Sequence, residues 1–288
     1  MNINVVVKGY KITRCIDKQS FRSLYEAKYL KEGKTVFMTV MGVRPGRDLS
    51  LLEKRAKMSQ KLQHSSLVTA LDYGTLPHDQ FYYTHEPTPS YPIARVLEEI
   101  NDPQEYIYRV IGFFIEALDI LSYIHEARIS HRNLSTAQIR ITNDDKVLLE
   151  GFINAFPRLE QKNMAPVVEM PYMAPEQLLG MAADKKTDIY SMGTILYELV
   201  TGCLPYESNY AKIVDYRNGK TPSPSAIYDD MPPELESFIM KALSPRKTRY
   251  SYVQDWITDL EELYSMRSLR LKCKDFSSFL KRFFTIKK

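Results

Sequence analysis

The chain has 288 residues, 44% of them hydrophobic and 26% charged, with a formal net charge of +4. That composition suits a globular protein with a substantial core, and so small a charge gives no support to nucleic-acid binding. Three cysteines, Cys15, Cys203 and Cys273, stand far apart and in odd number, which argues against a disulfide framework or a zinc site and for a reducing, cytoplasmic compartment.

The opening stretch MNINVVVKGYKI carries too short an apolar run for a signal peptide, and no run of about eighteen apolar residues occurs to span a membrane. Residues 5–41 alternate apolar and polar positions in short runs, YKITRCI, SLYEAKYL and KTVFMTVM, separated by DKQS and KEGK, which predicts a strand meander. Leu49 to Gln63 changes to helical spacing, and 67–73 and 81–86 return to strand-like runs. From about Pro92 the pattern is mostly helical. Ile107, Val110, Phe114, Leu118, Leu121 and Ile124 recur every three or four residues and mark a long amphipathic helix over 104–127. TDIYSMGTILYELVTG is apolar nearly all round, so it is expected at the centre of its lobe, ended by Gly202. PPELESFIMKAL and VQDWITDLEELYSM predict two further helices.

The stretch ISHRNLSTAQIRIT, residues 129–142, begins as a protein-kinase catalytic loop begins, and MPYMAPEQL followed by KTDIYSMGTILYELVTGCLPY reproduces two kinase motifs at kinase spacing. GYKITRCI looks like that family's opening strand, LQHSSLVTALDYG like its segment after the regulatory helix, and RKTRYSYVQDWITDLEEL like its closing arginine segment. The chain therefore resembles the Hanks-type Ser/Thr protein kinases, most closely the bacterial ones, from about residue 9 to 264. The resemblance implies an α+β, bilobal protein-kinase-like fold: a small, mostly antiparallel-β N-lobe with one helix over 1–87, a larger helical C-lobe over 88–264, and a separate tail over 265–288. It also implies that Glu176 pairs with Arg249, and that Asp188 accepts hydrogen bonds from the backbone around His131 and Arg132.

Phosphoryl transfer needs positioned phosphates, metal to neutralise charge, and a group to accept the nucleophile's proton. At the positions where the resemblance places those groups, this chain departs. The phosphate-covering turn, Asp17 to Arg22, contains no glycine. The strand lysine of Val-Ala-Ile-Lys falls at Thr39, with Lys34 as a substitute only in another register, and its partner glutamate falls at Arg55, with Glu53 as the alternative if the alignment slips by two residues. The proton-accepting aspartate is Asn133, an amide that takes up no proton at neutral pH, so a general-base contribution of about 100- to 10,000-fold is lost. The lysine after it is Ser135 and the metal-binding asparagine is Gln138. Glu150, Gly151 and Phe152 stand for Asp-Phe-Gly, leaving Glu150 and Gln138 as the only candidate metal ligands.

These departures predict a pseudokinase, a catalytically inactive kinase-like protein acting as a protein-binding scaffold or allosteric regulator, with no cofactor expected. The alternatives are a Ser/Thr protein kinase or other phosphotransferase with an atypical ATP site using Mg or Mn, and a non-catalytic nucleotide sensor. In the last, the hinge around Glu86 would hydrogen-bond adenine and His85 would limit the pocket's depth. The expected partner is a protein, such as an active kinase or another signalling component, and not nucleic acid. The tail from Ser265 onward contains eight Lys or Arg and one acid, with Phe276, Phe279, Leu280, Phe283 and Phe284 at helical spacing behind Asp275. Such a helix either packs on the C-lobe or meets a partner groove or an anionic membrane, which would make the protein peripheral through residues 266–288.

Overall fold

The computed structural model describes residues 4–18, 22–43, 49–154, 170–179, 181–206, 221–228 and 231–265. The tail helix expected over 266–288, and Cys273 within it, lie outside the described residues. The chain divides into two compact units, residues 1–89 with 151–155, and residues 90–150 with 156–288.

The first unit is built on a six-stranded antiparallel sheet of β1 (Val6–Val7), β2 (Tyr10–Lys18), β3 (Arg22–Tyr29), β4 (Thr35–Gly42), β5 (Asp72–Leu76) and β6 (Gln80–His85). The spatial order is β1-β2-β3-β4-β6-β5. Alternation along β4 sends Val36, Met38 and Val40 into a core with Ile12, Tyr25, Ala27 and Tyr82. Phe37 and Thr39 consequently share the opposite face. One helix, α1 (Leu49–Ser59), belongs to this unit. The strand-like run expected over 67–73 becomes a strand only at Asp72. The reason is local: Ser59 at the end of α1 takes the Ala70 amide on its Oγ at 3.0 Å, so this backbone bonds to the helix end instead of to a ladder.

The second unit is mostly helical, with α2 (Ile93–Leu97), α3 (Pro103–Glu126), α4 (Pro175–Leu178), α5 (Lys185–Thr201), α6 (Pro233–Ala242) and α7 (Val253–Ser265). It also contains a small antiparallel sheet, β7 (Ser90–Pro92), β8 (Ile139–Thr142) and β9 (Val147–Leu149), which hydropathy alone left unpredicted. Asp102 starts α3 by accepting the Glu105 amide at 2.7 Å, and Pro103 fits the first turn because it has no N–H to satisfy. Helix α5 is buried from Thr187 through Thr201 and ends at Gly202, whose φ of 76° lies in the left-handed region. Trp256 of α7 is fully buried, edge-on to Phe114 of α3 and stacked on Tyr250. Among the described residues no helix is long and apolar enough to cross a membrane.

Helix α5 lies close against α6 at Gly193, where a Cβ would lie 2.9 Å from the Ala242 Cβ and 3.2 Å from a Leu243 methyl. Gly193→Val is therefore expected to destabilise the protein by about 1–3 kcal/mol through overpacking. Urea unfolding beside an exposed control substitution measures it, and an unchanged midpoint would contradict this packing.

Candidate functional site

In the first unit, Thr39 is fully buried and its hydroxyl has no hydrogen-bond partner among the described residues. It pairs with Leu24 on one side and Tyr83 on the other. Phe37, on the same face, pairs with His85, and the two rings meet edge-on at 5.8 Å. The motif that places lysine at 39 places alanine at 37, so a large ring stands where the kinase pattern has a methyl group. Lys34 does not stand in for the missing lysine. It lies about 17 Å along the chain from Thr39 at strand rise, and its Nζ bonds Glu86 Oε1 at 2.7 Å in an exposed pair.

Arg55, on α1, is buried where a carboxylate was needed for an ion pair with lysine. Its Nε donates to the Phe152 carbonyl at 2.8 Å, and its guanidinium lies 4.4 Å from the centre of the Phe152 ring. The bond fastens residue 152 to the helix. Gly151 beside it has φ 84°, a conformation that glycine alone adopts freely. At the hinge, the Glu86 carbonyl accepts from His85 Nδ1 at 3.0 Å and from the Thr88 hydroxyl at 3.5 Å. A carbonyl oxygen has two lone pairs, and both directions are approached from within the chain.

In the second unit, the loop after α3 is organised around Asp188. This fully buried carboxylate accepts the amides of His131 and Arg132, each at 2.7 Å, and His125 Nε2 at 2.8 Å. Burial on its own would raise the Asp188 pKa. The bond and charge of His125 and the Arg132 amide outweigh it and hold the carboxyl below its ordinary value of 3.8. Arg132 is held at φ 67°. His131 donates through Nε2 to the Glu150 carbonyl at 2.8 Å and accepts the Asn133 amide on Nδ1 at 3.3 Å, a pair of contacts that selects the neutral Nε2–H tautomer.

Asn133 is buried directly after this turn. Ser135 donates to the Gln138 side-chain oxygen, so those two positions bond each other. Glu150 Oε1 lies 3.3 Å from Arg140 Nε, and the same guanidinium donates to the hydroxyl and carbonyl of Ser90. Tyr172, also buried, donates its hydroxyl to Glu198 at 2.5 Å and meets Thr136 at 3.1 Å. Glu176 Oε1 accepts Arg249 Nη1 at 2.7 Å and the Thr187 hydroxyl at 3.2 Å. Arg249 also donates to the carbonyls of Lys186 and Ser244.

The residues at the metal positions do not fit a divalent cation. Glu150 already faces a guanidinium, the Gln138 oxygen already accepts a hydroxyl, and among the described residues no cluster of three or more His, Cys, Asp or Glu could hold a metal. Sequence reasoning missed Arg140 and Phe37. A lone arginine between Ile139 and Ile141 in a short apolar strand was the signal for the first, since such a charge needs a buried partner. The second was implicit in the same register that placed Thr39.

The protein kinase domain family model matches residues 18–258. The chain belongs to that family. Among curated kinases, it is 26% identical over 280 residues to the probable serine/threonine-protein kinase PknB of Corynebacterium glutamicum, covering 90% of this chain and 43% of that protein. It is also 26% identical over 250 residues to the serine/threonine-protein kinase PknD of Chlamydia felis, covering 75% of this chain and 27% of that protein. The chain thus spans less than half the length of these kinases. The crystal structure of the Mycobacterium tuberculosis PknI kinase domain shares the fold with a TM-score of 0.73 at 17% identity, over 91% of this chain and 99% of that one.

The kinase-type loop anchor and clasp lead to two expected outcomes. The depressed Asp188 carboxyl contributes stability that is present above the unfolded-state pKa and lost as pH falls through the lower folded value. The stability gap between the wild type and Asp188→Asn should accordingly be largest near neutrality and shrink below about pH 4. Denaturant unfolding across pH measures it, and a gap that widens in acid would reverse the sign. The Glu176 and Arg249 side chains are only 6% and 1% exposed, so Arg249→Leu should cost about 3 kcal/mol by leaving a buried carboxylate with the Thr187 hydroxyl and the more distant Arg246 guanidinium at 3.8 Å. Adding Glu176→Gln should recover part of that loss in the same assay.

Proposed function

We propose that the chain is a catalytically inactive kinase-like domain that serves as a protein-binding scaffold or allosteric regulator. The observation that carries this reading is the joint departure from the kinase pattern at Thr39, Arg55, Asn133, Ser135, Gln138 and Glu150, several of them bonded to other parts of the chain. A base, a phosphate-binding cation and a metal ligand do different jobs, so no one of the substituted residues restores what the others lack.

Binding a partner needs a shaped surface and no chemistry. Support for such a surface comes from the second unit, where a cavity of about 430 Å³ is lined by Pro175, Leu179, Met181, Met240 and Leu243 beside the Glu176–Arg249 pair. Leu179 and Met181 are 45% and 54% exposed. Large apolar side chains left in water at the lip of a cavity suit an apolar side chain from a partner protein. The basic tail is a second candidate for recruitment, to a partner groove or an anionic membrane.

The names of the relatives favour the alternative reading better than this one. Proteins similar over most of this chain are named Ser/Thr protein kinases, and the family works with ATP and Mg or Mn. In that reading the chain is a phosphotransferase with an atypical ATP site. Incubation with labelled ATP and either metal, with a protein substrate and with the chain alone, separates the two. The scaffold reading expects no label above a heat-inactivated control and no change in thermal midpoint at millimolar ATP. A kinase would transfer label, and nucleotide at about 100 times its dissociation constant would add about 2.7 kcal/mol, a shift of a few degrees.

A further inference from the structure

Arg140 has no part in the phosphoryl-transfer machinery, yet it occupies the centre of the small sheet in the second unit. It pairs with Pro92 across to β7 and with Leu148 across to β9. Ser90 and Glu150 each lie two residues from those partners, so side-chain alternation puts all three on one face, and Gln138 two residues before Arg140 joins them. The contacts agree with that placement: Nε reaches Ser90 Oγ at 3.0 Å and Glu150 Oε1 at 3.3 Å. The Arg140 and Glu150 side chains are only 20% and 13% exposed. Their charges are therefore less screened by water than those of an exposed pair, and the attraction between them is correspondingly stronger.

We propose that Arg140 takes the place of the divalent cation: its guanidinium is the resident counter-charge of Glu150, and the chain binds no metal at Glu150 and Gln138. The inference rests on the non-catalytic reading and gives it a physical cause. A cation entering beside Glu150 would meet a positive charge already beside one ligand oxygen, and would have to share the Gln138 oxygen with the Ser135 hydroxyl. The guanidinium supplies planar, directed N–H donors and cannot lose its proton, so pH does not vacate the position. Any nucleotide response of this chain would then be independent of divalent metal.

The test measures Mn²⁺ binding to the full chain by electron paramagnetic resonance, with and without ATP, together with thermal midpoints of the wild type, Arg140→Leu, Glu150→Gln and the double variant. The wild type should show no Mn²⁺ binding that depends on Glu150. Arg140→Leu should lower the midpoint by removing the guanidinium from a largely buried carboxylate, and adding Glu150→Gln should raise it again. Should Arg140→Leu fail to fold, Arg140→Lys keeps the charge without the planar fork and should exclude Mn²⁺ as the wild type does. Saturable Mn²⁺ binding by the wild type that Glu150→Gln abolishes would overturn the proposal, as would strictly additive midpoint shifts. Wild-type protein that binds Mn²⁺ at Glu150 but transfers no label from ATP sinks this inference alone, whereas label transfer sinks the non-catalytic reading.

Discussion

The arrangement of the second unit depends on one buried carboxylate. Asp188 sits at the start of the most buried helix and turns its two oxygens to the amides of His131 and Arg132. An ionised group in such a place is costly unless its lone pairs are filled, and here amide donors and His125 fill them. The same bonds hold Arg132 in a left-handed conformation that a non-glycine residue adopts only under constraint. That turn in its turn places the next residues of the loop, Asn133, Ser135 and Gln138. The anchor carries no chemistry of its own, which is why the loop can keep a kinase's shape while the group at its tip is an amide.

Around this frame, charges that the family resemblance assigns to phosphate and metal have been replaced by groups with internal partners. Arg55 stands at a glutamate position and bonds a backbone carbonyl instead of a lysine. Glu150 keeps a carboxylate at an aspartate position and meets Arg140. The Ser135 hydroxyl donates to the Gln138 side-chain oxygen. A reactive site is poised for a ligand and leaves polar groups waiting for it, whereas these groups are largely spent on the fold. Thr39 is the exception, a buried hydroxyl with no hydrogen-bond partner among the described residues, at the position that the family resemblance assigns to a lysine.

The motifs made the fold legible because they combine local periodicity with fixed spacing. APE at Ala174–Glu176, the helix from Thr187 and the arginine at 249 are far apart in sequence, and only the kinase pattern joins them. The long helices were legible from period alone. Two kinds of feature were not. The strands Ser90–Pro92, Ile139–Thr142 and Val147–Leu149 are too short for alternation to stand out, and their pairing is long-range. Side-chain partners were legible where a family motif named both residues, as for Glu176 and Arg249. They were hidden where the substitution was this chain's own, as for Arg140 and Glu150, because sequence spacing does not show that residues 90, 140 and 150 share a sheet face.

Tyr172 lies at the end of a segment where kinases commonly receive regulatory phosphate. In this chain its hydroxyl is buried and donates to Glu198 while touching Thr136. A phosphoryl group there would lose that donated bond and place about two negative charges against a carboxylate. Modification at this tyrosine would thus require local opening first and would then oppose reclosure. The contacts of this hydroxyl therefore belong to the unmodified side chain, and a phosphoryl group would disfavour the conformation that holds them.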